Sequence, residues 1–331
     1  MQLTWELRDL DSEFFKKELD GFVPDRVFDA HAHLYRSSDW GGPHPTERGP
    51  EVVSLETYHA QMEWLIPNRK IHGLFFGVAF HEGYAEANDF VSLEVAKDPV
   101  SRGEMLVPPY LDASAMRATG KRLGFDGIKV YHSFLRPKPT LNADVRDFLI
   151  EDHVRVADEE GWTITLHMVR DRAMADPRNQ EQIQYYCRKY PRMKLILAHA
   201  ARGFNPFHTI EGIHCLKGLR NVWCDTSAVT EAGGFEAIIE TLGHDRLLWG
   251  SDYPISHLRG RCIAIGDQFL WLYEDSLDWS KFGVRIPIQP LFVGHESLRA
   301  LKLAAHRQHL TDSQLEDIFD RNARAMLEID N

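Results

Sequence analysis

The feature that most constrains the fold is a series of short apolar segments, each separated from the next by a stretch long enough for a helix. Most of these segments are nearly continuous in apolar residues, which is typical of parallel strands covered by helices. Three of the intervening stretches, 145–157, 181–190 and 235–242, show clear helical periodicity. The eight apolar segments span 26–33, 73–80, 105–110, 125–131, 162–167, 193–199, 221–227 and 246–252.

Eight strand–helix units in series predict an α/β protein that closes into a (β/α)8 TIM barrel. A doubly wound open sheet is the alternative, but the glycine-rich phosphate turn that usually follows its first strand is missing. We expect one domain over 1–331, with an N-terminal helical extension at 1–21 and the barrel at 22–331. Long loops follow strand 1 (35–50) and strand 8 (255–300), on the side where barrel active sites lie. The final helix should begin near Thr311, capped by a Thr or Asp side chain.

The composition narrows the classes of partner. The 331 residues carry a net charge of −11, which argues against a nucleic-acid binder and against binding to an anionic membrane surface. No apolar run approaches the roughly 18 residues that span a bilayer, and the acidic N-terminal segment is unlike a signal peptide. The four cysteines lack a CxxC spacing, as expected for free thiols in a reducing compartment. We therefore expect a cytoplasmic protein.

Three of the predicted strands end in side chains that bind metals. Residues two apart in a strand share a face, so His31 and His33 point the same way from strand 1. His167 is the last inward position of strand 5, and Asp252 is the last inward position of strand 8. A lone HxH pair would be weak evidence, but four such side chains fall here at equivalent strand ends. Three imidazoles and a carboxylate at one rim suit a divalent transition metal such as zinc.

The same motifs resemble the amidohydrolase superfamily. Phe-Asp-Ala-His-Ala-His at 28–33, a His at the end of strands 5 and 6, and Trp-Gly-Ser-Asp-Tyr-Pro at 249–254 follow its pattern. The likeness is greatest to its amidohydrolase-related branch (amidohydrolase 2), which resembles aminocarboxymuconate semialdehyde decarboxylase. It covers roughly residues 25–255 and reaches the Asn-Ala pair at 322–323. The combined motif is specific for the superfamily but not for a reaction, because the branch contains hydrolases, decarboxylases and hydratases.

The resemblance implies a role for each of these residues. His31, His33 and His167 would be metal ligands. Asp252 would bind the metal or its water, act as general base and then deliver the proton. His199 would hydrogen-bond the bound water or polarise the substrate carbonyl. These roles agree with simple chemistry, because a divalent metal lowers the pKa of bound water from about 16 towards about 7, and a carboxylate within reach can take its proton.

Lys129 leaves the number of metal ions open. It faces inward on strand 4, where some members of the superfamily carry a carboxylated lysine that bridges two metals. The alternative is an uncarboxylated lysine that pairs with a substrate carboxylate or with Asp252. The sequence Gly-Ile-Lys at 127–129 also looks like that of the single-metal branch. We therefore expect one divalent ion, most simply zinc, with manganese as the alternative.

Several basic side chains near these positions are candidates for substrate binding. Arg170 and Arg202 each lie three residues after a predicted functional His, and Arg259 lies in the loop after strand 8. Arginine suits bidentate recognition of a carboxylate, which favours an anionic substrate, whereas a solvated surface arginine is the usual alternative. His132, just past strand 4, either touches the substrate or lies on the surface.

Strand 7 carries two more polar side chains at the same rim. Asp225 and Ser227 are two residues apart and therefore face the same way. They could orient His199 from behind, as hydrogen-bond partners of functional histidines often do, or they could simply satisfy buried polar groups. The sequence leaves both interpretations open.

The leading hypothesis is metal-assisted hydrolysis of a C–O or C–N bond, in a lactone or amide of a small carboxylated molecule. The same site could instead decarboxylate or hydrate such a molecule. A phosphoesterase of the polymerase-and-histidinol-phosphatase type also opens with HxH but normally ends with Asp-x-His, whereas Asp252-Tyr253-Pro254 stands here. A non-catalytic small-molecule-binding barrel would be expected to have lost ligands, and all four are present. A small anionic substrate is the expected partner, and a homodimer stays open because soluble barrels often form dimers.

Overall fold

The computed structural model describes residues 5–44, 46–274, 276, 278, 281 and 288–330. Twelve strands occur in these ranges, and eight of them form one parallel sheet. The strands are β1 (Arg26–His33), β2 (Tyr35–Arg36), β3 (Val52–Val53), β4 (Lys70–Phe76), β5 (Arg102–Leu106), β6 (Gly127–Val130), β7 (Thr163–Leu166), β8 (Lys194–Leu197), β9 (Val222–Asp225), β10 (Leu247–Leu248), β11 (Gly260–Ile265) and β12 (Gln268–Tyr273).

The eight-stranded sheet has the order β1-β4-β5-β6-β7-β8-β9-β10, so successive barrel strands are neighbours. Its two ends also meet. The backbone N–H of Asp252 donates to His31 O at 2.8 Å, and the N–H of His33 donates to Tyr253 O at 3.0 Å. These bonds join the segment after β10 to β1 and close the sheet. The predicted (β/α)8 barrel is confirmed.

Helices cover the outside of this barrel and connect its strands. They are α1 (Asp9–Phe14), α2 (Leu55–Leu65), α3 (Tyr84–Val95), α4 (Ala113–Leu123), α5 (Val145–Phe148), α6 (Glu151–Glu160), α7 (Pro177–Lys189), α8 (Ala198–Arg202), α9 (Pro206–Gly212), α10 (Gly233–Leu242), α11 (Val293–Arg307), α12 (Asp312–Glu316) and α13 (Asn322–Met326). Wider π-helical turns extend α1 over Phe15–Leu19 and join α12 to α13 over Asp317–Arg321. Among the described residues, none of the helices has the length and hydropathy of a membrane span.

Both ends of the chain follow the expectation from the sequence. The N-terminal extension is helical over α1, and the penultimate helical segment begins after Thr311. The hydroxyl of Thr311 accepts a hydrogen bond from the backbone N–H of Gln314 at 3.3 Å, while the Gln314 side chain accepts one from Thr311 N at 2.9 Å. This reciprocal pair satisfies two backbone donors at the start of the helix.

Two barrel strands begin earlier than the sequence pattern predicts. The second barrel strand, β4, begins at Lys70 rather than Gly73, and the third, β5, spans 102–106 rather than 105–110. The first halves of both strands contain polar residues, including the fully buried Glu104. Because these residues interrupt the apolar pattern, the sequence did not predict the early strand starts. Pro108 and Pro109 follow β5, and proline cannot donate to a sheet ladder.

An apolar cluster inside the barrel joins several of its strands. Phe28 on β1 and Leu248 on β10 are fully buried, and they form this cluster with Leu74 on β4, Ile196 on β8 and Ala323 of α13. Each large apolar side chain buried in this way stabilises the fold by about 1.5–3 kcal/mol. Beyond a register shift between residues 29 and 32 of β1, His31 and His33 also point inward, and both line a cavity at the rim of the barrel.

A two-stranded antiparallel hairpin, β11–β12, projects from the loop after β10. Cross-strand pairs in this hairpin include Cys262 with Trp271 and Ile263 with Leu270. Because neighbouring pairs lie on opposite faces, one face of the hairpin carries aromatic residues and the other carries aliphatic ones. The predicted long loop after strand 8 thus contains an ordered element beside the rim of the barrel.

Candidate metal centre and active-site cavity

Side chains from β1 and from the segment after β10 meet at the rim of the barrel. Asp252 Oδ1 lies 3.5 Å from His31 Nε2 and 3.6 Å from His33 Nε2. One ligand atom from each of the three residues lies within 4.8 Å of the others, and all three side chains are buried. Two imidazole nitrogens and a carboxylate oxygen in this arrangement could hold a divalent metal ion.

Hydrogen bonds on the far side of each ring suit this role. His31 Nδ1 lies 2.8 Å from Asp225 Oδ2, and His33 Nδ1 lies 2.9 Å from the backbone oxygen of Gly77. Both partners accept hydrogen bonds, so each Nδ1 carries the proton and each Nε2 keeps a lone pair directed towards Asp252. Such second partners are typical of metal-binding histidines, and the donor set therefore fits a divalent cation.

The predicted fourth ligand, His167, lines the same cavity and is half-buried, but it lies outside the group of three. Its Nδ1 is 2.9 Å from His199 Nε2, so the two rings share a proton. His199 also approaches the group, because its Nδ1 lies 3.8 Å from Asp252 Oδ2. The rim therefore brings together all five residues that the sequence singled out as ligands or catalytic groups.

The electrostatics keep these groups in their ligand forms. Burial, with a contribution from the charge of Lys129, lowers the pKa of His31 well below its usual value. Burial and the neighbouring His199 do the same to the pKa of His167. Burial alone would raise the pKa of Asp252, but its contacts with the rings of His33, His199 and His31 outweigh the burial and lower that pKa. At neutral pH the rings of His31 and His167 thus stay uncharged beside an ionised carboxylate.

His199 is the first residue of an unusual left-handed backbone turn. All four residues from His199 to Arg202 have a positive φ, between 51° and 59°, so α8 is a left-handed turn without glycine. Each such residue costs about 1–2 kcal/mol relative to a right-handed one. The turn is held by the His199 N–H, which donates to Asp225 Oδ1 at 2.8 Å, and by the Thr209 hydroxyl, which donates to Ala200 O at 2.8 Å. Strain of this kind is typical of functional sites.

Asp225 and Ser227 contact two of the candidate functional histidines, His31 and His199. The sequence indicated a contact with His199 alone. Asp225 accepts a bond from the ring of His31 and a bond from the backbone of His199. Ser227 contacts the ring of His199, with its Oγ 2.8 Å from Nδ1. The carboxylate therefore orients His31, while the serine contacts both rings, because its Oγ also lies 3.2 Å from His31 Nδ1.

Lys129 lies beside the group, as predicted. Its Nζ is 3.3 Å from His31 Nε2 and 4.1 Å from the centre of the Phe76 ring. Burial lowers the pKa of Lys129 to about 8, opposed by the charge of Glu104. Burial raises the pKa of Glu104, a fully buried acid on the adjacent strand β5, to about 7. Sequence reasoning missed Glu104, although an acid at an inward position of a barrel strand was a visible signal.

Of the three candidate arginines, only Arg202 lines the cavity. It is half-buried, and its guanidinium lies 5.3 Å from the centre of the Phe269 ring. Its Nη1 donates to Arg170 O at 3.2 Å, whereas no carboxylate in the described ranges lies within 4.0 Å of its nitrogens. A half-buried cation that has no carboxylate within this distance is suited to bind an anionic ligand.

The structure places Arg170 and Arg259 outside the lining of this cavity, unlike the position expected for them from the sequence. Arg170 pairs with Asp176 at 2.7 Å and with Asp144 at 3.0 Å. Arg259 is buried and forms a two-point pair with Asp11, at 2.9 and 2.5 Å. Each guanidinium is already neutralised by carboxylates, and Arg259 ties the hairpin to α1. The sequence could not reveal these partners because they come from distant segments.

His132 also turns away from the cavity. It is buried rather than exposed, and its Nδ1 bonds to the hydroxyl of Thr140 at 2.7 Å. Burial lowers its pKa to about 4. His132 is absent from the lining of the cavity and instead fixes the loop that follows β6, so neither of the two roles expected from the sequence describes it.

The cavity above the metal-binding group has a volume of about 330 Å³. Its lining includes many aromatic side chains that the sequence analysis did not single out. Three of them, Phe269, Trp271 and Tyr273, alternate along β12, and this period-two pattern was the available signal. A larger groove of about 770 Å³ lies between α9 and α11, but it contains none of the candidate ligands. The aromatic residues of the smaller cavity are Trp40, Phe80, Tyr131, Phe204, Phe269, Trp271 and Tyr273.

Comparison with known proteins agrees with this geometry. The family model described as amidohydrolase matches residues 28–329, which is nearly the whole barrel. The chain belongs to the amidohydrolase family. The predicted membership is therefore confirmed, and the residues of the site can be discussed as those of an amidohydrolase.

Individual relatives are more distant. The L-fucono-1,5-lactonase of Burkholderia ambifaria is 32% identical over 115 residues, which is 30% of this chain and 39% of the lactonase. A zinc-bound amidohydrolase from Burkholderia multivorans has a TM-score of 0.57 at 14% identity, covering 92% of this chain and 99% of the other. A dihydroxybenzoic acid decarboxylase from Polaromonas sp. JS666, with bound manganese and 2-nitroresorcinol, has a TM-score of 0.57 at 14% identity, covering 92% and 97%. These two structures share the fold.

One further residue supports the candidate metal-binding group of this amidohydrolase. Asp29 is fully buried and accepts hydrogen bonds from Tyr58 Oη at 2.7 Å, from Ser251 N at 2.9 Å and from His31 N at 3.0 Å. It therefore links β1 directly to the segment that carries Asp252. Burial raises the pKa of Asp29 to about 6. The sequence analysis quoted this residue in the motif but gave it no role.

Proposed function

We propose that the chain is a metal-dependent hydrolase that cleaves a C–O or C–N bond, in a lactone or amide of a small carboxylated molecule. The observation that carries this proposal is the position of Asp252. Its carboxylate lies within 3.8 Å of ring nitrogens of His31, His33 and His199, in a buried cavity. A carboxylate in this position can bind a cation through one oxygen and accept a proton through the other.

We infer one divalent ion per chain, zinc or manganese, held by His31, His33 and Asp252, with His167 as the further ligand. Two observations support this inference: the two Nε2 lone pairs directed towards Asp252, and the zinc and manganese in two structures that share the fold. Such an ion supplies Lewis acidity, which makes a water molecule acidic enough to ionise near neutral pH and polarises a neighbouring carbonyl.

The side chains of the protein divide the remaining work. Asp252 is ionised at neutral pH, because its pKa lies below the usual value, and it can take the proton of the attacking water. His199 shares a proton with His167 at 2.9 Å and can donate a hydrogen bond to the oxygen that becomes negative. Arg202 would bind the carboxylate of the substrate at the aromatic end of the cavity.

A carboxy-lyase is the second candidate. The same Asp252 and His199 could deliver a proton to a carbon atom that loses CO2, instead of taking one from water. A hydratase and a barrel that only binds its ligand are further alternatives of the same site. The lactonase among the relatives favours hydrolysis. Because the match covers 39% of the lactonase, an experiment has to distinguish the two reactions.

The experiment combines elemental analysis with isotope labelling. Protein purified without chelators is expected to hold close to one equivalent of zinc or manganese, and His31→Asn should lose it. The protein is then incubated with matched lactones, amides and 2-oxo or dienoic acids. Hydrolysis incorporates one 18O atom from labelled water into the product acid, whereas decarboxylation in D2O releases CO2 and places deuterium on carbon.

The outcomes separate the candidates clearly. Label from water in a new carboxyl group supports the hydrolase, label in a new hydroxyl on carbon supports the hydratase, and deuterium on carbon with CO2 release supports the carboxy-lyase. Less than about 0.2 equivalents of every transition metal, with no binding after metal addition, would contradict both. Metal binding without turnover of any panel member would favour the non-catalytic barrel.

A further inference from the structure

Two sets of aromatic side chains line the cavity above the candidate metal-binding group. We call Phe204, Phe269, Trp271 and Tyr273 the hairpin wall, because three of them lie on β12. We call Phe80 and Tyr131, which follow β4 and β6, the strand wall. Both sets line the same cavity, together with the candidate metal ligands. The shape and chemistry of these walls constrain the substrate beyond the presence of a carboxylate.

The hairpin wall is an extended apolar surface that reaches the catalytic group. The ring of Phe204 is nearly parallel to that of His199, at 29° and 5.0 Å between centroids. It also contacts Phe269 and Trp271, with centroid distances of 5.1 and 5.4 Å. Trp271 and Tyr273 are stacked at 5.3 Å and 8°. The wall therefore offers flat faces that begin beside the reacting atoms.

The strand wall is also flat. Phe80 and Tyr131 are stacked, with centroids 4.3 Å apart and planes at 20°. Tyr131 in turn contacts His167, with a centroid distance of 4.7 Å. Burial raises the pKa of Tyr131 to about 12, so the ring stays uncharged throughout the neutral range. A ligand between the walls therefore meets neutral aromatic faces.

Outside the candidate metal site, most polar groups of the cavity are hydrogen-bond donors. Among the described lining residues there is no Asn, Gln, Ser, Thr or Glu, and Asp252 is the one carboxylate. Apart from the candidate metal-binding and proton-transfer residues, the remaining polar side chains are Lys129, Arg202, two tryptophans and two tyrosines. Most of these are donors, so ring hydroxyls of a ligand would find few acceptors.

We propose that the substrate of this site is a flat, unsaturated carboxylate, such as an aryl or conjugated-ring acid, rather than a polyhydroxylated sugar acid or its lactone. This proposal rests on the proposed function and deepens it by naming the substrate class. The ring lies between the aromatic walls, the carboxylate is bound by Arg202, and the reacting bond lies towards Asp252. Phe269 and Trp271 are then specificity-determining residues.

Two physical effects set the expected discrimination. Aromatic contact with a flat ring favours it over a saturated ring of the same size by about 2- to 10-fold. Each hydroxyl left without an acceptor in a buried site weakens binding by about 5- to 100-fold. A polyhydroxylated ring should therefore lose far more than a merely saturated one.

The test uses three probes that carry the same carboxylate on a six-membered ring. Benzoate is flat and apolar, cyclohexanecarboxylate is puckered and apolar, and quinate is puckered and carries four hydroxyls. Dissociation constants are measured by ligand-observed NMR on the metal-loaded protein. We expect benzoate to bind tightest, cyclohexanecarboxylate about 2- to 10-fold weaker and quinate at least about 100-fold weaker than benzoate.

Alternation along β12 provides a matched pair of variants. Trp271→Leu removes a ring that lines the cavity, whereas Leu270→Ala changes the next residue, which is 46% exposed on the other face. Trp271→Leu should weaken benzoate binding by about 10-fold, leave quinate binding unchanged and keep the metal content. Leu270→Ala should leave all three dissociation constants within about 2-fold, because its side chain does not line the cavity.

The readout is independent of turnover, so its failure can be told from a failure of the proposed function. Quinate binding as tightly as benzoate, in protein that holds its metal, would overturn the flat-ring substrate while leaving the hydrolase intact. Equal effects of Trp271→Leu and Leu270→Ala would also overturn it. Loss of metal binding in the unmodified protein would instead contradict the proposed function.

Discussion

The floor of the cavity and its roof are held by different kinds of interaction. The floor, His31, His33 and Asp252, lies on the closed barrel, where backbone hydrogen bonds join β1 to the segment after β10. The roof consists of the hairpin wall and Arg202, which extend from a two-stranded hairpin and a left-handed turn. A two-stranded hairpin has little stability of its own, and here it rests on contacts with the rim.

This difference separates two functions within one site. Residues of the floor are fixed to their neighbours by the sheet, so a change there alters the chemistry that the site can perform. Residues of the roof lie on loops, which can change without disturbing the barrel. We therefore infer that the floor determines the reaction and the roof determines the substrate. Variants in each region should consequently affect different kinetic parameters.

The largest loss of activity is expected from a substitution of Asp252, in the floor. Asp252→Asn keeps the volume of the side chain but cannot accept a proton, so kcat should fall by at least about 1000-fold while the protein stays folded. Steady-state kinetics and circular dichroism measure the two quantities. Asp267→Asn is the control in the roof, because Asp267 is 60% exposed and pairs with Arg172 and His208. A variant at Asp252 that kept a tenth of the activity would exclude it as the base.

A smaller effect, on KM rather than on kcat, is expected from a substitution of Arg202 in the roof. Arg202→Met removes the charge but keeps most of the length, so KM for a carboxylated substrate should rise about 10- to 100-fold, with kcat little changed. The methyl ester of the same substrate should be insensitive. Arg172→Met is the control, because Arg172 is 43% exposed and paired with Glu211 and Asp267. A fall in kcat alone would place Arg202 in the chemical step.

The floor could be predicted from the sequence because strand alternation controls it. His31 and His33 share a face of β1 for a purely local reason, and Asp252 follows the last barrel strand in the same register. The roof could not be predicted in the same way. Whether Arg202 or Arg259 enters the cavity depends on a strained turn and on Asp11, which is 248 residues from Arg259 in the chain. Such tertiary contacts leave no local pattern.

A moderate effect of pH on the stability of the fold is expected from His257, which lies near the floor residue Asp252. This residue follows Asp252 by one turn, packs on Tyr253 at 4.9 Å and bonds to Gln61 O at 2.8 Å. Burial lowers its pKa to about 4, with His295, Asp11 and Arg259 as the other charged or titratable neighbours. A histidine buried in its neutral form stabilises the fold above the pKa of the unfolded chain, near 6.5, and this contribution is lost as the pH falls towards 4.

The free energy of unfolding should therefore fall between pH 8 and pH 5, and about 2 kcal/mol of that fall should come from His257. Urea unfolding at a series of pH values measures it. His257→Gln keeps a donor for Gln61 but cannot titrate, so its stability should depend on pH by about 2 kcal/mol less. His306→Gln, exposed near the end of α11, serves as the control. An unchanged pH dependence in His257→Gln would show that the ring accepts a proton in the folded state.

The smallest effect concerns the turn that carries the roof arginine. Ala201 has a φ of 59°, so a glycine there should relieve about 1–2 kcal/mol of backbone strain, while glycine costs about 0.5–1 kcal/mol in the unfolded chain. Ala201→Gly should thus stabilise the protein slightly, by up to about 1 kcal/mol, and raise Tm by about 1–3 °C. Ala118→Gly, at an exposed position of the right-handed helix α4, should instead destabilise it by about 1 kcal/mol. The opposite signs distinguish a strained turn from an ordinary helix. Equal losses in both variants would mean that the turn stores no strain, and the roof would then be held as firmly as the floor.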